Sequence, residues 1–279
     1  MTTGATAPPA VRLAGVEMAF PVKGAQPTVA LTGIDLTIRQ QEFISLIGPS
    51  GCGKSTLLRI IGNLITPTGG SVEVNGKSAQ EARLGREYGM VFQAPVLFDW
   101  RTVEANVRLP LEVTGTPRSE RDQLVRQKLE LVELGGFMHH YPHQLSGGMQ
   151  QRVSIARALA LQPSLLLMDE PFGALDEMTR ERLNSELLRI WGETGTTVIF
   201  VTHSIPEAVF LSSRVVVMSP RPGRIAETIE IDLPHPRDES SREHDRYYEL
   251  VTEVREALRG RPASGPDLEV RARGEGSFG

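Results

Sequence analysis

A glycine-rich segment at residues 48–56 constrains this chain more than any other feature of its sequence. It fits the pattern G-x-x-x-x-G-K-[ST], in which backbone N–H groups close around phosphate oxygens that bulky side chains would keep away. The lysine adds a positive charge toward the β and γ phosphates, and the hydroxyl residue after it is placed to bind Mg²⁺. The sequence therefore predicts a phosphate-binding loop formed by Gly48, Pro49, Ser50, Gly51, Cys52, Gly53, Lys54, Ser55 and Thr56.

The residues on either side give this loop the context that it requires. An apolar run at 43–47 suits a buried strand, and residues 56–61 have helical propensity. A helix that begins at Gly53 or Lys54 would present free N–H groups and a partial positive charge to an anion. This order of strand, loop and helix favours a nucleotide-binding fold over a glycine-rich turn that binds nothing.

Two adjacent carboxylates follow a second apolar strand at residues 165–168. Asp169 is placed to bind Mg²⁺ directly or through water, and Glu170 is the expected general base that polarises an attacking water molecule. A solvated strand end is the alternative interpretation. The phosphate-binding loop earlier in the chain argues against it.

A third motif, Leu-Ser-Gly-Gly-Met-Gln-Gln-Arg, occupies residues 145–152. Its serine suits a helix N-cap, and its two glycines would expose backbone donors at the helix start. Together with the other motifs it resembles the signature of ABC transporter ATP-binding subunits, and the resemblance spans about residues 11–231. The resemblance implies ATP and Mg²⁺ as ligands. It also implies a head-to-tail homodimer in which ATP bound to one subunit is contacted by the partner's Ser146, Gly147, Gly148 and Gln150. A well-capped helix without a ligand is the alternative.

Three further residues match positions of that family. Gln93 resembles the glutamine that contacts Mg²⁺ and water, and His203, which ends another apolar strand, resembles the histidine that touches the γ phosphate. Asp176 resembles the aspartate that crosses the dimer, and it also suits a helix N-cap. The resemblance thus implies a catalytic set of Glu170, His203 and Gln93, and a metal-binding set of Ser55, Gln93 and Asp169.

Two residues of the predicted nucleotide site are less typical. Phe20 is the best match to the family's adenine-stacking aromatic residue, and because phenylalanine lacks a hydroxyl group we expect little base specificity. Its alternative role is that of a core residue on an edge strand. Cys52 is the single cysteine, which excludes an internal disulfide, and we expect its alkylation to inhibit the enzyme and bound ATP to protect it.

Composition limits the remaining possibilities. The chain has 279 residues, of which 40% are hydrophobic, enough for one large domain with an inserted subdomain. A formal net charge of -4 gives no electrostatic reason to expect nucleic-acid binding. No apolar run approaches the ~20 residues that span a bilayer, and the first ten residues lack a signal-peptide core. We therefore expect a peripheral protein at the cytoplasmic face of the membrane, held there by a partner.

Alternating strand and helix patterns predict an α/β fold: a P-loop ATPase core with a parallel sheet, an antiparallel β subdomain and an inserted helical subdomain. Disorder is expected at residues 1–10, the ATPase domain at 11–231, and its helical subdomain at about 95–160. A capping box at 119–122 is expected to open one of the inserted helices, and Asn75-Gly76 to form a hairpin turn. Residues 232–279 are expected to form an extension with a helix around 247–258 and a disordered end.

The segment at 94–107 bears on the biological role. In the resembled family this region receives a helix of the membrane permease, and apolar residues beside Trp100 suit such a socket; packing between the two subdomains is the alternative. Its Trp-Arg-Thr-Val sequence, together with Ser-Pro-Arg-Pro-Gly-Arg-Ile at 219–225, resembles the corresponding motifs of the nitrate, sulfonate and taurine importers. That resemblance implies permease subunits as partners and, indirectly, an extracytoplasmic solute-binding protein. An exporter ATPase and a soluble non-transport ABC ATPase are the alternatives.

Overall fold

The computed structural model describes residues 8–260. Within that range the strands are β1 (Val11–Val22), β2 (Ala25–Ile38), β3 (Phe43–Ile47), β4 (Gly69–Val74), β5 (Lys77–Ser78), β6 (Tyr88–Val91), β7 (Leu165–Asp169), β8 (Thr197–Val201), β9 (Arg214–Met218) and β10 (Ile225–Glu230). The helices are α1 (Lys54–Ile61), α2 (Ala79–Leu84), α3 (Val103–Val113), α4 (Arg118–Leu131), α5 (Gly147–Ala158), α6 (Glu177–Thr194), α7 (Ile205–Leu211) and α8 (Asp245–Leu258). The disorder expected at the chain end lies outside the described residues, as does most of that expected at 1–10.

A six-stranded sheet in the order β10-β9-β3-β8-β7-β6 forms the centre of the fold. All its pairings are parallel except that of β10 with β9. Alternate side chains of β3 enter two different hydrophobic clusters, Phe43 and Ile47 on one face and Ile44 and Leu46 on the other. Burial on both faces explains why these strands are apolar throughout. Because β3, β7 and β8 run parallel, the residues that follow them meet at one edge of the sheet.

A second, antiparallel sheet has the order β2-β1-β4-β5. Its last hairpin turns at Asn75 and Gly76, which both have positive φ angles of 51° and 73°. This confirms the predicted Asn-Gly turn, since left-handed backbone at both central positions defines a type I′ hairpin. This sheet carries Phe20 on β1, and its strand β2 leads into β3 of the central sheet. The observed architecture confirms the α/β P-loop ATPase fold.

Helices α3, α4 and α5 form the inserted helical part and pack around shared apolar residues that include Val107, Leu111, Val125, Leu129 and Val153. The predicted capping box at 119–122 is wrong. Helix α4 already begins at Arg118, and its N-cap is Pro117, which makes no side-chain capping bond. Proline before the helix has a fixed φ of -56° that suits entry into a helix, so the start moves ahead of Ser119.

The residues after β10 pack onto the same core. Helix α8 contributes Tyr247, Leu250, Val251, Val254 and Ala257 to the cluster that also contains residues of α7 and β9. Buried Arg237 holds the connecting segment, because its guanidinium donates to five backbone carbonyls, those of Val209, Phe210, Ser212, Ile231 and Leu233. Three of these carbonyls lie at or just after the end of α7, so the arginine caps that helix. Within residues 8–260, no helix combines the length and the apolar character needed to cross a membrane.

Candidate active site

The phosphate-binding loop connects β3 to α1, in the predicted order of strand, loop and helix. Gly53 is the N-cap of α1 and has a φ of 104°, which only glycine adopts readily. A Cβ atom there would also lie 2.5 Å from the Leu31 side chain. Any larger residue would therefore be strained by its own backbone and would collide with β2. The first N–H groups of α1 remain free to point at an anion.

Lys54 lies over this loop rather than in solvent. Its Nζ donates to the carbonyl oxygen of Gly48 at 2.8 Å and to that of Pro49 at 3.3 Å, and the residue is buried. The ammonium group thus stands inside the curve of the loop. Its present acceptors are uncharged carbonyl oxygens. A negatively charged phosphate oxygen can take their place and form a stronger hydrogen bond with the ammonium group.

Cys52 behaves differently from the expectation for a reactive thiol. Only 1% of the residue is exposed, and a Cβ added to Gly48 would touch its sulfur at 2.8 Å. The thiol is therefore enclosed under the loop, where Lys54 Nζ lies 3.9 Å from its sulfur, and it does not line the nucleotide pocket. Alkylation requires the loop to open, so fast modification of the folded protein is not expected.

A pocket of about 240 Å³ lies over the loop. Seven of the predicted nucleotide-binding residues line it together with Glu170: Phe20, Ser50, Gly51, Gly53, Lys54, Ser55 and Thr56. The other lining residues are Ala30 and Arg221. Gly48, Pro49 and Cys52 belong to the loop but do not line the pocket. Phe20 is 39% exposed, so its ring face is free for stacking.

Ser55 lines this pocket and is hydrogen-bonded to Asp169, which is not itself a lining residue. The Ser55 hydroxyl donates to Asp169 Oδ1 at 2.6 Å, and Asp169 is buried at the end of β7. Two converging hard oxygen ligands fit Mg²⁺, which ordinarily takes one or two protein oxygens and completes its shell with phosphates and water. No group of three or more His, Cys, Asp or Glu residues that could hold a metal by itself occurs in the described part of the chain. The donor set therefore fits a metal that arrives with a nucleotide.

Glu170 lines the pocket, and His203, which does not, contacts its carboxylate. His203 Nδ1 lies 3.2 Å from Glu170 Oε2, and the Glu170 N–H donates to Val201 O at 2.9 Å. Glu170 has a positive φ of 46°, unusual for a residue with a side chain. Such strain persists where the surroundings enforce it, and here it turns the glutamate from the strand into the pocket.

Gln93 approaches the same glutamate from the segment after β6. A Cβ built on Gly173 would lie 3.4 Å from Gln93 Nε2 and 3.7 Å from Glu170 Oε2. The two side chains therefore flank Gly173, but Gln93 is not among the residues that line the pocket. Behind Gln93, α5 holds this segment: Gln151 Nε2 donates to Phe92 O at 3.2 Å, and Arg157 donates to the carbonyls of Pro95 and Val96.

The signature residues lie elsewhere in the subunit. Ser146 caps α5 by accepting a hydrogen bond from Met149 N at 3.3 Å, as predicted. Gly147 and Gly148 pack closely against Leu175 and Thr179, and none of the three signature residues lines the pocket. The Gln150 amide donates to Pro142 O and Leu145 O, so in this chain it supports the turn before the helix.

Asp176 caps α6, where its Oδ1 accepts from Thr179 N at 3.0 Å. This backbone hydrogen bond lowers the pKa of the Asp176 carboxyl group. The cap that the sequence predicts is therefore present, while Asp176 does not line the pocket of its own subunit.

A buried network connects this region to His203. Arg180 on α6 donates to Leu175 O at 2.9 Å and lies 3.8 Å from Glu207. Glu207 accepts a 2.5 Å hydrogen bond from the Thr202 hydroxyl, which in turn accepts from Ser204 N. Burial raises the pKa of the Glu207 carboxyl group. Sequence reasoning missed this network, because its members fit no motif and the contact of Arg180 with Glu207 joins two separate helices.

Arg221 is the other residue that sequence reasoning did not assign to the site. By its sequence alone, the motif at 219–225 indicates only a family resemblance. Its position beside the phosphate-binding loop depends on a contact between segments about 170 residues apart, which local patterns do not reveal.

Comparisons with known proteins agree with this geometry. The sequence profile described as "ABC transporter" matches residues 31–173. The chain is 51% identical, over 81% of its length and 84% of the relative's, to an uncharacterized ABC transporter ATP-binding protein of Methanocaldococcus jannaschii. It is 44% identical to a taurine import ATP-binding protein of Roseobacter denitrificans, over 75% of this chain and 78% of that one. A nitrate import ATP-binding protein of Synechococcus elongatus is 43% identical over 86% of this chain, which spans only 37% of that longer relative.

Among solved structures, a dimeric ATP-binding cassette in a post-hydrolysis state with ADP and phosphate superimposes with a TM-score of 0.69. The two sequences are 36% identical, and the match covers 79% of this chain and 98% of the other.

Proposed function

Because this chain belongs to the ABC transporter family as an ATP-binding, ATP-hydrolysing subunit, we propose that it powers import of a small anionic solute through a membrane permease. The solute class is one like nitrate, a sulfonate or taurine. The family membership rests on the profile match and on the identity with complete relatives. The single observation that carries the catalytic part is that Glu170 lines one pocket with the phosphate-binding loop, while His203 contacts Glu170 and Asp169 is hydrogen-bonded to Ser55 of that loop.

In this proposal the triphosphate lies against the free N–H groups of α1, and Lys54 turns from Gly48 O to the β and γ phosphates. The adenine ring stacks on Phe20 at the other end of the pocket. Ser55 and Asp169 would hold Mg²⁺, and Gln93 would add an oxygen ligand. Bound Mg²⁺ would supply positive charge that neutralises the phosphate oxygens.

Glu170 is the general base of the reaction. It takes a proton from a water molecule whose oxygen bonds to the γ phosphorus, while the bond from that phosphorus to the bridging oxygen breaks and ADP leaves with the electron pair. His203, 3.2 Å from the carboxylate, orients Glu170 and contacts the γ phosphate. General-base catalysis of this kind contributes about 10²- to 10⁴-fold to the rate.

A second copy of the chain completes the site in this proposal. Ser146, Gly147 and Gly148 do not line the pocket of their own subunit, yet they present free N–H groups at the start of α5. A head-to-tail homodimer would bring them to ATP bound by the partner, with Asp176 beside the crossing point. The dimeric state of the solved cassette relative supports this arrangement. Nucleotide would then favour the closed dimer, and hydrolysis would remove that preference.

The permease is proposed to bind at the segment after Gln93. Trp100 is 75% exposed, and its ring centroid lies 5.0 Å from that of Phe98. Val96 is also exposed, and Arg157 fixes its carbonyl from α5. An exposed tryptophan packed on a half-buried phenylalanine, beside an exposed apolar side chain, is typical of the centre of a protein interface. Docking there would place the subunit at the cytoplasmic face of the membrane.

The test is an affinity purification of tagged Glu170→Gln protein with ATP from detergent-solubilised native membranes. Recovery of a multi-helix permease together with a solute-binding protein is the expected result, and that binding protein then supplies the candidate solute. Recovery of a permease without any binding protein favours an exporter ATPase. Soluble partners alone, found repeatedly in gentle detergents, contradict a transport role and favour a non-transport ABC ATPase. A Trp100→Ala variant, expected to release the permease without loss of ATP binding, tests the docking segment itself.

A further inference from the structure

The loop between β9 and β10, residues 219–224, is closed on itself. Ser219 N donates to Arg224 O at 2.9 Å, and Arg224 N donates to the Ser219 hydroxyl oxygen at 3.1 Å. The same hydroxyl donates to the carbonyls of Pro220 and Pro222. With two prolines that restrict the backbone, the loop holds a defined shape.

Gly223 fixes this loop to the nucleotide site. Its N–H donates to Ala30 O at 2.9 Å, and its carbonyl accepts from Thr32 N at 3.1 Å. The backbone also passes so close to the phosphate-binding loop that a Cβ on Gly223 would lie 1.9 Å from Cys52 O. Arg221, two residues earlier, is therefore anchored next to that loop by contacts on both sides.

The Arg221 side chain extends over the pocket. It is one of the lining residues, and its Nη2 lies 3.8 Å from the Cβ position of Gly51. Arginines before and after it in the chain are engaged: Arg214 forms an ion pair with Glu42 at 2.8 Å, and Arg237 caps α7. Throughout residues 8–260, by contrast, no carboxylate or carbonyl oxygen accepts a hydrogen bond from Arg221. The guanidinium group is thus an unengaged cation at the rim of a site built for a polyphosphate.

We propose that Arg221 donates hydrogen bonds to the phosphates of the nucleotide bound on the loop, as a second fixed cation beside Lys54. The planar guanidinium fork matches two phosphate oxygens. Arg221 reaches the phosphates from the side of Gly51. The inference rests on the proposed mode of ATP binding and adds a residue to it.

The experiment compares full-length wild-type protein with Arg221→Gln, Arg221→Lys and the matched control Arg224→Gln. Arg224 belongs to the same loop and is exposed, but it does not line the pocket. Dissociation constants for ATP and ADP are measured by displacement of a fluorescent trinitrophenyl-ATP. Because Arg221 is exposed and water screens its charge, we expect Arg221→Gln to weaken binding of both nucleotides by about 3- to 10-fold. Arg221→Lys recovers part of that loss, and Arg224→Gln binds like wild type.

The salt dependence of nucleotide affinity distinguishes a direct contact with phosphate from a structural effect of the substitution. A direct contact with phosphate weakens with ionic strength, so the difference between wild type and Arg221→Gln should shrink between 0.05 M and 1 M salt. ATP affinity of Arg221→Gln equal to that of Arg224→Gln overturns the inference. A loss of equal size at both salt concentrations, with a lowered thermal unfolding midpoint, also overturns it, because Arg221 would then only support the loop. Failure of the wild-type protein itself to bind ATP would instead contradict the proposed function.

Discussion

His203 Nδ1 lies 3.2 Å from Glu170 Oε2, where the carboxyl ends of two neighbouring parallel strands meet. The contact joins a residue after β8 to one after β7 and directs the carboxylate toward the phosphate-binding loop. The positive φ of Glu170 fixes the direction of its side chain. The Thr202–Glu207 hydrogen bond holds the residue that precedes His203. The pair therefore belongs to a preorganised site in which the base has one defined direction.

Glu170→Gln tests the assigned base. The amide keeps the shape of the side chain but accepts a proton far less readily, so turnover should fall by about 10²- to 10⁴-fold while ATP affinity stays within about twofold. Phosphate release and equilibrium ATP binding are measured on the same preparation. Glu177→Gln, in the first turn of α6, serves as the control and should hydrolyse ATP normally. Wild-type turnover by the Glu170 variant would remove this residue from its role.

Ser55→Ala tests the metal site. The change removes the hydroxyl that donates to Asp169 at 2.6 Å and leaves the metal one protein ligand short. We expect the gain in ATP affinity on adding Mg²⁺, measured against excess EDTA, to shrink by about tenfold, equivalent to one charged hydrogen bond. Ser71→Ala, on the antiparallel sheet, should behave like wild type. An unchanged Mg²⁺ response would show that Ser55 does not contact the metal.

Arg237→Ala tests the attachment of the C-terminal extension. The buried guanidinium group donates to five carbonyls, and its loss leaves the end of α7 without those partners. We expect the free energy of unfolding in urea to fall by about 3 kcal/mol. Arg246→Ala is the control, because Arg246 makes exposed ion pairs with Asp232 and Glu249 that are worth about 0.5 kcal/mol. Equal effects of the two substitutions would contradict the capping role.

His235 gives the protein a pH-dependent stability. Its ring lies 5.1 Å from that of Trp191, and burial together with the nearby Arg237 charge lowers the pKa of His235 from 6.5 to about 4. A depressed histidine pKa means that the unfolded chain binds the proton more readily. The contribution is therefore present above pH 6.5 and is lost as the pH falls toward 4.

The size of this effect follows from the partial exposure of the ring. Without solvent screening, this pKa shift would lower the free energy of unfolding by about 2 kcal/mol between pH 7.5 and pH 5. Screening of the partly exposed ring reduces the change to about 1 kcal/mol. Urea unfolding at the two pH values measures it. His235→Gln should flatten the difference by the same amount, and an identical pH dependence in wild type and variant would contradict the assignment.

Local sequence signals predicted the parts of the site that depend on neighbours in the chain. Gly53 at the start of α1, the serine cap of α5 and the aspartate cap of α6 are each determined within a few residues, and each is present. The capping box expected at Ser119 failed for a reason that is also local, because Pro117 begins the helix earlier.

The features that the sequence did not reveal depend on contacts between distant segments. The Cys52 thiol is buried because it lies beside Gly48, in the hydrophobic cluster that also contains Met218. The position of Arg221 follows from the pairing of Gly223 with Ala30 and Thr32. The Arg180–Glu207–Thr202 network likewise joins three elements of the fold. No periodicity or motif spacing in the sequence predicts these contacts between separate segments.

Gly223→Ala tests whether the 219–224 loop supports the phosphate-binding loop. The added methyl group would lie 1.9 Å from Cys52 O, far inside van der Waals contact, so one of the two loops must shift. Overpacking of this kind costs about 1–3 kcal/mol, and we expect a loss of that size in the free energy of unfolding with at least a tenfold weaker ATP affinity. Gly192→Ala is the control, since a Cβ at Gly192 meets nothing within 4 Å and alanine favours the helix. Normal ATP binding by a Gly223→Ala protein of unchanged stability would show that the two loops do not depend on each other.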